Sequence, residues 1–275
     1  MKTIVTPTDF SAISLNAVNY AADLACVINT NLSLIYVCPI PIAINEAPIP
    51  AYSIAELVAD AEEKMKLLKE KIIYRTRDRI KINTEVKQGD VVSGIDDYCS
   101  SVDPYAVVMG TESTGAFERF LLEGNAISAM RQLSWPLIVV PPNVKFASLR
   151  KIGLACDLKK VVETIPLKEI KSLVQEFHAE FHVLHVNTES GNSFNAETAE
   201  ESGWLQDILG ELNPKYHFIN DTDIEKSINK FVEKNNFDLL IIIPKKNNLI
   251  SKIFQHSHSK RLVLHTHVPI MAIHE

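Results

Sequence analysis

The chain repeats itself, and that repeat limits its fold more than any other feature. Lys2 to Asp9 reads KTIVTPTD and Lys151 to Asp157 reads KIGLACD, each a short apolar run ending in an aspartate. NLSLIYV from Asn31 is matched by AEFHVLHV from Ala179, and DPYAVVMG from Asp103 by DLLIIIP from Asp238. Each half closes on a run opened by proline, PLIVVP at Pro136 and PIMAIH at Pro269. Two similar halves of ordinary domain size account for the 275 residues. The expected domains are 1–147 and 148–275, the second shorter and more diverged.

Within each half, short β-branched runs alternate with amphipathic stretches such as SLNAVNYAADLACVI and SIAELVADAEEKMKLLKEKI. That alternation predicts an α/β fold, a parallel sheet with helices on both faces. Five strands per half are expected near 3–7, 31–37, 82–87, 105–109 and 136–140, then 151–155, 180–186, 215–219, 238–243 and 269–273. Right-handed crossovers favour a doubly wound order 3-2-1-4-5, with a ligand crevice at the C-terminal ends of the first and fourth strands. After the second strand, CPIPIAINEAPIPAYS in the first half is too proline-rich for a helix; it either shields the crevice or covers the sheet edge.

Composition removes several classes of function. A formal charge of −6 with no long basic run gives no footprint for nucleic acid or an anionic membrane. No apolar run approaches a membrane span, and MKTIVTPTDFS meets a proline and an aspartate before any signal-peptide core. Cys26, Cys38, Cys99 and Cys156 are too scattered for a disulfide framework or a cysteine-based zinc site, which fits a reducing cytoplasm. No catalytic residues stand out, since a Ser-His-Asp set, a Walker loop and a His-Glu-x-x-His motif are all missing.

The first-half crevice gathers Thr6 to Asp9 and the loop GTESTGAFERFLLEGNA from Gly110. Asp9 can accept hydrogen bonds from an exocyclic amine or ribose hydroxyls, or can instead cap the helix beginning near Ser11. Gly110, Gly115 and Gly124 either let backbone N–H groups approach an anion or serve as turn residues.

TIVTPTDFS, DPYAVVMG, the loop from Gly110 and WPLIVVPP together resemble the universal stress protein family in its tandem two-domain form. The resemblance implies an adenine nucleotide alpha hydrolase-like fold and a stress-response role, with small-molecule binding rather than committed catalysis. The ligand it implies is ATP or AMP, with Mg²⁺ only alongside ATP. The implied nucleotide site is Thr8, Asp9 and Val37 on the base side, with Gly110, Ser113, Thr114, Gly115, Gly124 and Asn125 around the phosphates. Family domains pair through their last strands, so an intramolecular pseudo-dimer is expected, with a further homodimer through another face left open by the sequence. An ATP-hydrolysing switch and a ligand-free interaction scaffold are the competing readings.

The family signature is a glycine, two residues, a glycine, nine residues, then glycine followed by serine or threonine. Laid without gaps it keeps Gly110, but its next positions fall on Ser113, Glu123 and Gly124. A carboxylate at Glu123 beside a phosphate, at an effective dielectric of about 20 and about 4 Å, would cost roughly 4 kcal/mol, nearly three decades of affinity. The second half keeps Asp157, yet IIIPKKNNLISKIFQHSHS has no glycine at a signature position, only Ser257 at the serine or threonine place. Lys245 and Lys246 could draw a phosphate there or form a solvated turn. This half is expected to be ligand-free or to bind something else.

All nine histidines lie in the second half. The His-x-His pairs at 256/258 and 265/267 raise a metal-site alternative, but a helix between them would hold the pairs about 10 Å apart. His182 and His185 differ by an odd number and so face opposite sides of one strand.

Overall fold

The computed structural model describes residues 2–38, 51–111, 125–188, 196–244 and 266–274. It divides into two compact units, the first comprising Met1–Thr111 and Glu123–Phe146, the second containing Ala147–Glu275.

The first unit runs β1 (Thr3–Pro7), α1 (Ala12–Val27), β2 (Asn31–Cys38), α2 (Ala51–Thr76), β3 (Ile82–Gln88), α3 (Val91–Val102), β4 (Ala106–Gly110), α4 (Asn125–Gln132) and β5 (Leu137–Val140). All its strand pairings are parallel, in the order β3-β2-β1-β4-β5. Such strands are covered on both faces, so they read as continuous apolar runs rather than alternating ones. The central strands β1 and β4 accordingly bury four consecutive residues each, while the edge strand β3 is mostly part-exposed. Register pairs Ile4 with Leu32 and Ala106, so Ile4, Thr6, Leu34 and Gly110 share the face covered by α1. Val37 lies on the opposite face, against Gly94 of α3. The buried side of α1 mixes Ala17, Ala21, Ala22 and Ala25 with the larger Val18, Tyr20 and Leu24.

The second unit runs β6 (Lys151–Ala155), α5 (Val161–Thr164), α6 (Leu167–Phe177), β7 (Glu180–Asn187), α7 (Ala196–Leu209), β8 (Lys215–Asn220), α8 (Ile224–Lys234), β9 (Leu239–Ile242) and β10 (Ile270–Ala272). Its order, β8-β7-β6-β9-β10, is again parallel. Every strand end falls within one residue of the sequence reading, and the doubly wound order is the one expected. Two departures are local. Helix α2 begins at Ala51, inside the segment from Cys38 to Ser53 expected not to be helical, of which 39–50 lie outside the described residues. The second unit differs after its first strand. Where the first unit has a single helix after its first strand, the second has two, because Pro166 lacks an N–H and its ring opposes a continuous helix. All four cysteines are free. Among the described residues no helix is long and apolar enough to cross a membrane.

Candidate functional site

The strand order reverses between β1 and β4, which leaves a crevice at their C-terminal ends. Thr8 extends β1 by one bond, its N–H donating to the Ile35 carbonyl at 2.9 Å. The chain then turns sharply. The Thr8 hydroxyl accepts the Phe10 N–H at 3.0 Å and shares a hydrogen bond with the Ser14 hydroxyl at 3.0 Å. Asp9 Oδ1 accepts the Ser11 N–H at 3.0 Å, and Ser14 Oγ accepts the Asp9 N–H at 3.3 Å. The helix cap is Ser11 itself, whose hydroxyl accepts the Ser14 N–H at 3.2 Å. Asp9 therefore braces the turn ahead of the cap and remains exposed. Partial burial pushes its carboxyl up, but hydrogen bonds from Ser11 and Ser14 outweigh that and hold it below the ordinary aspartate range. It is ionised at neutral pH.

Phe10 comes next with φ 64°, a left-handed conformation that costs a non-glycine residue about 1–2 kcal/mol. Its ring stacks on Tyr36 of β2 with centroids 5.1 Å apart, an aromatic contact worth about 1 kcal/mol that offsets part of the strain. Beneath this turn the Thr6 hydroxyl is fully buried and has no hydrogen-bond partner among the described residues.

Val37 contributes backbone rather than side chain. Ile35 bonds toward β1 through its carbonyl, whereas the Cys38 carbonyl accepts the Gly89 N–H on the β3 side. Alternation along β2 turns the Val37 N–H and C=O toward β1, two residues beyond Ile35, the partner of the last β1 residue. Among the described residues no strand stands opposite them. Gly110 closes β4 and is demanded by packing: a Cβ there would lie 2.7 Å from both Ile13 Cγ2 and the Ile13 carbonyl oxygen. The glycine lets the first turn of α1 sit on the end of β4. Asn125 is the exposed first residue of α4. Thr8, Asp9, Val37 and Gly110 thus converge at one end of the sheet; Ser113, Thr114, Gly115, Glu123 and Gly124 lie outside the described residues.

The second unit rebuilds the same turn with different atoms. The Cys156 N–H donates to the Leu184 carbonyl at 2.9 Å, Cys156 Sγ accepts the Leu158 N–H at 3.4 Å, and Asp157 Oδ1 accepts the Lys159 N–H at 3.2 Å. Leu158 repeats the left-handed φ of Phe10, at 53°. Past Leu158 the two units diverge. Glu201 of α7, only 7% exposed, accepts the Lys160 N–H at 2.9 Å on one carboxylate oxygen and the Val161 N–H at 2.8 Å on the other. The protein's own carboxylate thus occupies both backbone N–H groups at the start of α5. Glu201 was invisible to sequence reasoning, being one acid among several in a polar stretch. Lys245, Lys246, Ser257, His256, His258 and His265 lie outside the described residues.

His182 and His217 form a second feature that sequence missed. Register sets His182 opposite Lys215, so His217 lies on the same face one step along. His182 Nδ1 and His217 Nε2 are 2.8 Å apart, with the rings stacked and packed against Phe237 and Phe231. Around them stand Glu180, 3.5 Å from His182 Nε2, and the ammonium groups of Lys215 and Lys151. Burial, then the His217 imidazole, holds His182 below the ordinary histidine value, with Glu180 opposing; burial, then Lys215 and Lys151, does the same for His217. A lowered histidine makes the unfolded chain bind protons first, so its contribution is intact above about pH 6.5 and is lost below it. The urea midpoint is expected to fall between pH 7 and 5.5, and His217→Phe to flatten that fall. Equal slopes in both proteins would contradict this. Among the described residues, no three histidine, cysteine, aspartate or glutamate side chains are grouped to hold a metal ion.

The family model described as the universal stress protein family matches residues 1–141. A universal stress protein of Methanocaldococcus jannaschii is 29% identical over 141 residues, covering 50% of this chain and 81% of the relative. Among solved structures, a universal stress protein from Archaeoglobus fulgidus has a TM-score of 0.74 at 18% identity, covering 99% of this chain and 96% of that one. A protein of unknown function from Pseudomonas aeruginosa has a TM-score of 0.59 at 10% identity, covering 100% of this chain and 92% of that one. At such identities the structural likeness carries the fold, while the family model, matching just over half the chain, carries the kinship. The chain belongs to the universal stress protein family.

Proposed function

We propose that the first unit binds an adenine nucleotide in the β1/β4 crevice and that the second unit, a degenerate copy of the same domain, does not. One observation carries the reading: Val37 turns a backbone N–H and C=O toward the place where β1 has ended, beside the exposed, ionised Asp9. A donor and an acceptor on one residue complement the ring nitrogen and amino group of adenine. Asp9 Oδ2 is left for an amine or a ribose hydroxyl, since Oδ1 is engaged by Ser11. Ser113, Thr114, Gly115, Gly124 and Asn125 would flank the phosphates. Glu123 favours a ligand with less phosphate charge, so AMP is expected to bind more tightly than ATP; Mg²⁺ would accompany only ATP.

In the second unit Glu201 already engages the Lys160 and Val161 N–H groups at the corresponding turn, and the sequence after β9 has no glycine at a signature position. Mass spectrometry of small molecules released on denaturing the purified protein is expected to find an adenine nucleotide. Empty protein that shows no thermal shift with millimolar AMP or ATP would overturn the proposal and leave the interaction-scaffold reading.

A further inference from the structure

Helix α2 buries one stripe against the sheet, including Ala61, Met65, Leu68 and Ile72. A second stripe at the same three-and-four spacing, Leu57, Asp60, Lys64, Leu67, Lys71 and Tyr74, faces solvent. Its three apolar members are unusually bare: Leu57 is 47% exposed, Leu67 51% and Tyr74 88%. Charge along the helix is segregated as well. Residues 51–63 carry four carboxylates and no base, whereas 64–76 carry five bases and one carboxylate.

The helix macrodipole does not explain this separation, because its influence fades within the first and last turns while these charges continue through the middle. Pairing along the helix, as in the 2.6 Å contact of Asp60 with Lys64, would be served by alternating signs. Segregation into an acidic half and a basic half suits a different partner, one whose charges run the opposite way. An identical helix laid antiparallel is such a partner.

We infer that this stripe is a self-docking surface on which a second copy of the chain packs its own α2 antiparallel, about a two-fold axis between Met65 and Lys66. The stripe is self-complementary in that register. Leu57 meets Tyr74, Asp60 meets Lys71, and the Lys64 stem lies along Leu67, each contact occurring twice as two-fold symmetry requires. The span from 57 to 74 covers about 26 Å of helix at 1.5 Å per residue. Arg75 takes no part, since its guanidinium is held by Asp23 of α1 at 2.6 Å and 2.9 Å.

The test is sedimentation of the full chain over a concentration series at low and high salt. Asp60→Lys alone sets two lysines opposite each other, and Lys71→Glu alone sets two carboxylates opposite each other. Each is expected to weaken self-association at least about tenfold, with two pairs per dimer changing from attraction to repulsion. The double variant is expected to restore it, as is mixing the two single variants, because both combinations re-form opposite pairs. All these positions are exposed, and far-UV circular dichroism checks that the variants fold. A protein monomeric at about 100 μM in low salt, single variants that associate like the parent, or a double variant no tighter than the singles would overturn the inference.

Discussion

Gly110→Ala is expected to destabilise the first unit by about 2–3 kcal/mol, the upper part of the range for overpacking a closed core. The added methyl would lie 2.7 Å from the Ile13 carbonyl oxygen and equally close to Ile13 Cγ2. The side-chain methyl can rotate away; the carbonyl cannot, because it belongs to the first turn of α1. Relief requires moving that turn, and with it the Ser11 cap and the Ser14 hydroxyl that hold Thr8 and Asp9. Urea denaturation should therefore show a lower midpoint, and ligand affinity should fall more than stability alone explains. A variant of unchanged stability would mean that Gly110 serves the phosphate loop and not the packing.

Glu201→Ala is expected to cost the second unit about 2–3 kcal/mol, because it strips the acceptors from two backbone N–H groups in a site that water reaches poorly. Glu201→Gln should cost less, since the amide keeps one acceptor but must turn its NH₂ toward the other donor. The ordering Ala worse than Gln worse than the parent, measured by chemical denaturation, separates a docking carboxylate from a merely well-packed side chain. A Glu201→Gln protein as stable as the parent, with only Glu201→Ala destabilised, would point to packing. Neither should change the affinity of the first unit for its ligand.

The strands were legible because parallel, doubly covered strands leave a plain mark: short runs such as TIVTP and LIVV, bounded by Pro136, Gly110 or a polar turn. Right-handed crossovers favoured their order, and the family resemblance implied the same fold. Asp9 was also legible, standing just past the first strand, although its bonds make it a brace for the turn and leave the capping to Ser11. Other parts depend on three-dimensional register. Gly110 looked like a loop glycine until Ile13 was seen above it. The His182–His217 pair exists only because β7 and β8 align with His182 opposite Lys215. Glu201 reaches Lys160 and Val161 across about forty positions of sequence, and no spacing rule announces such a carboxylate. Pro166 was a readable signal for the α5–α6 break that the repeat pattern obscured, since the two halves otherwise share one plan.

The proposed function turns on an asymmetry: a first-unit crevice that would take an adenine nucleotide, and a second-unit turn whose Lys160 and Val161 N–H groups are taken by Glu201. Calorimetric titration of the full chain with AMP tests it most directly. One site per chain is expected, lost in Asp9→Ala and retained in Glu201→Gln. Two sites per chain, no binding, or one site that survives Asp9→Ala would contradict it.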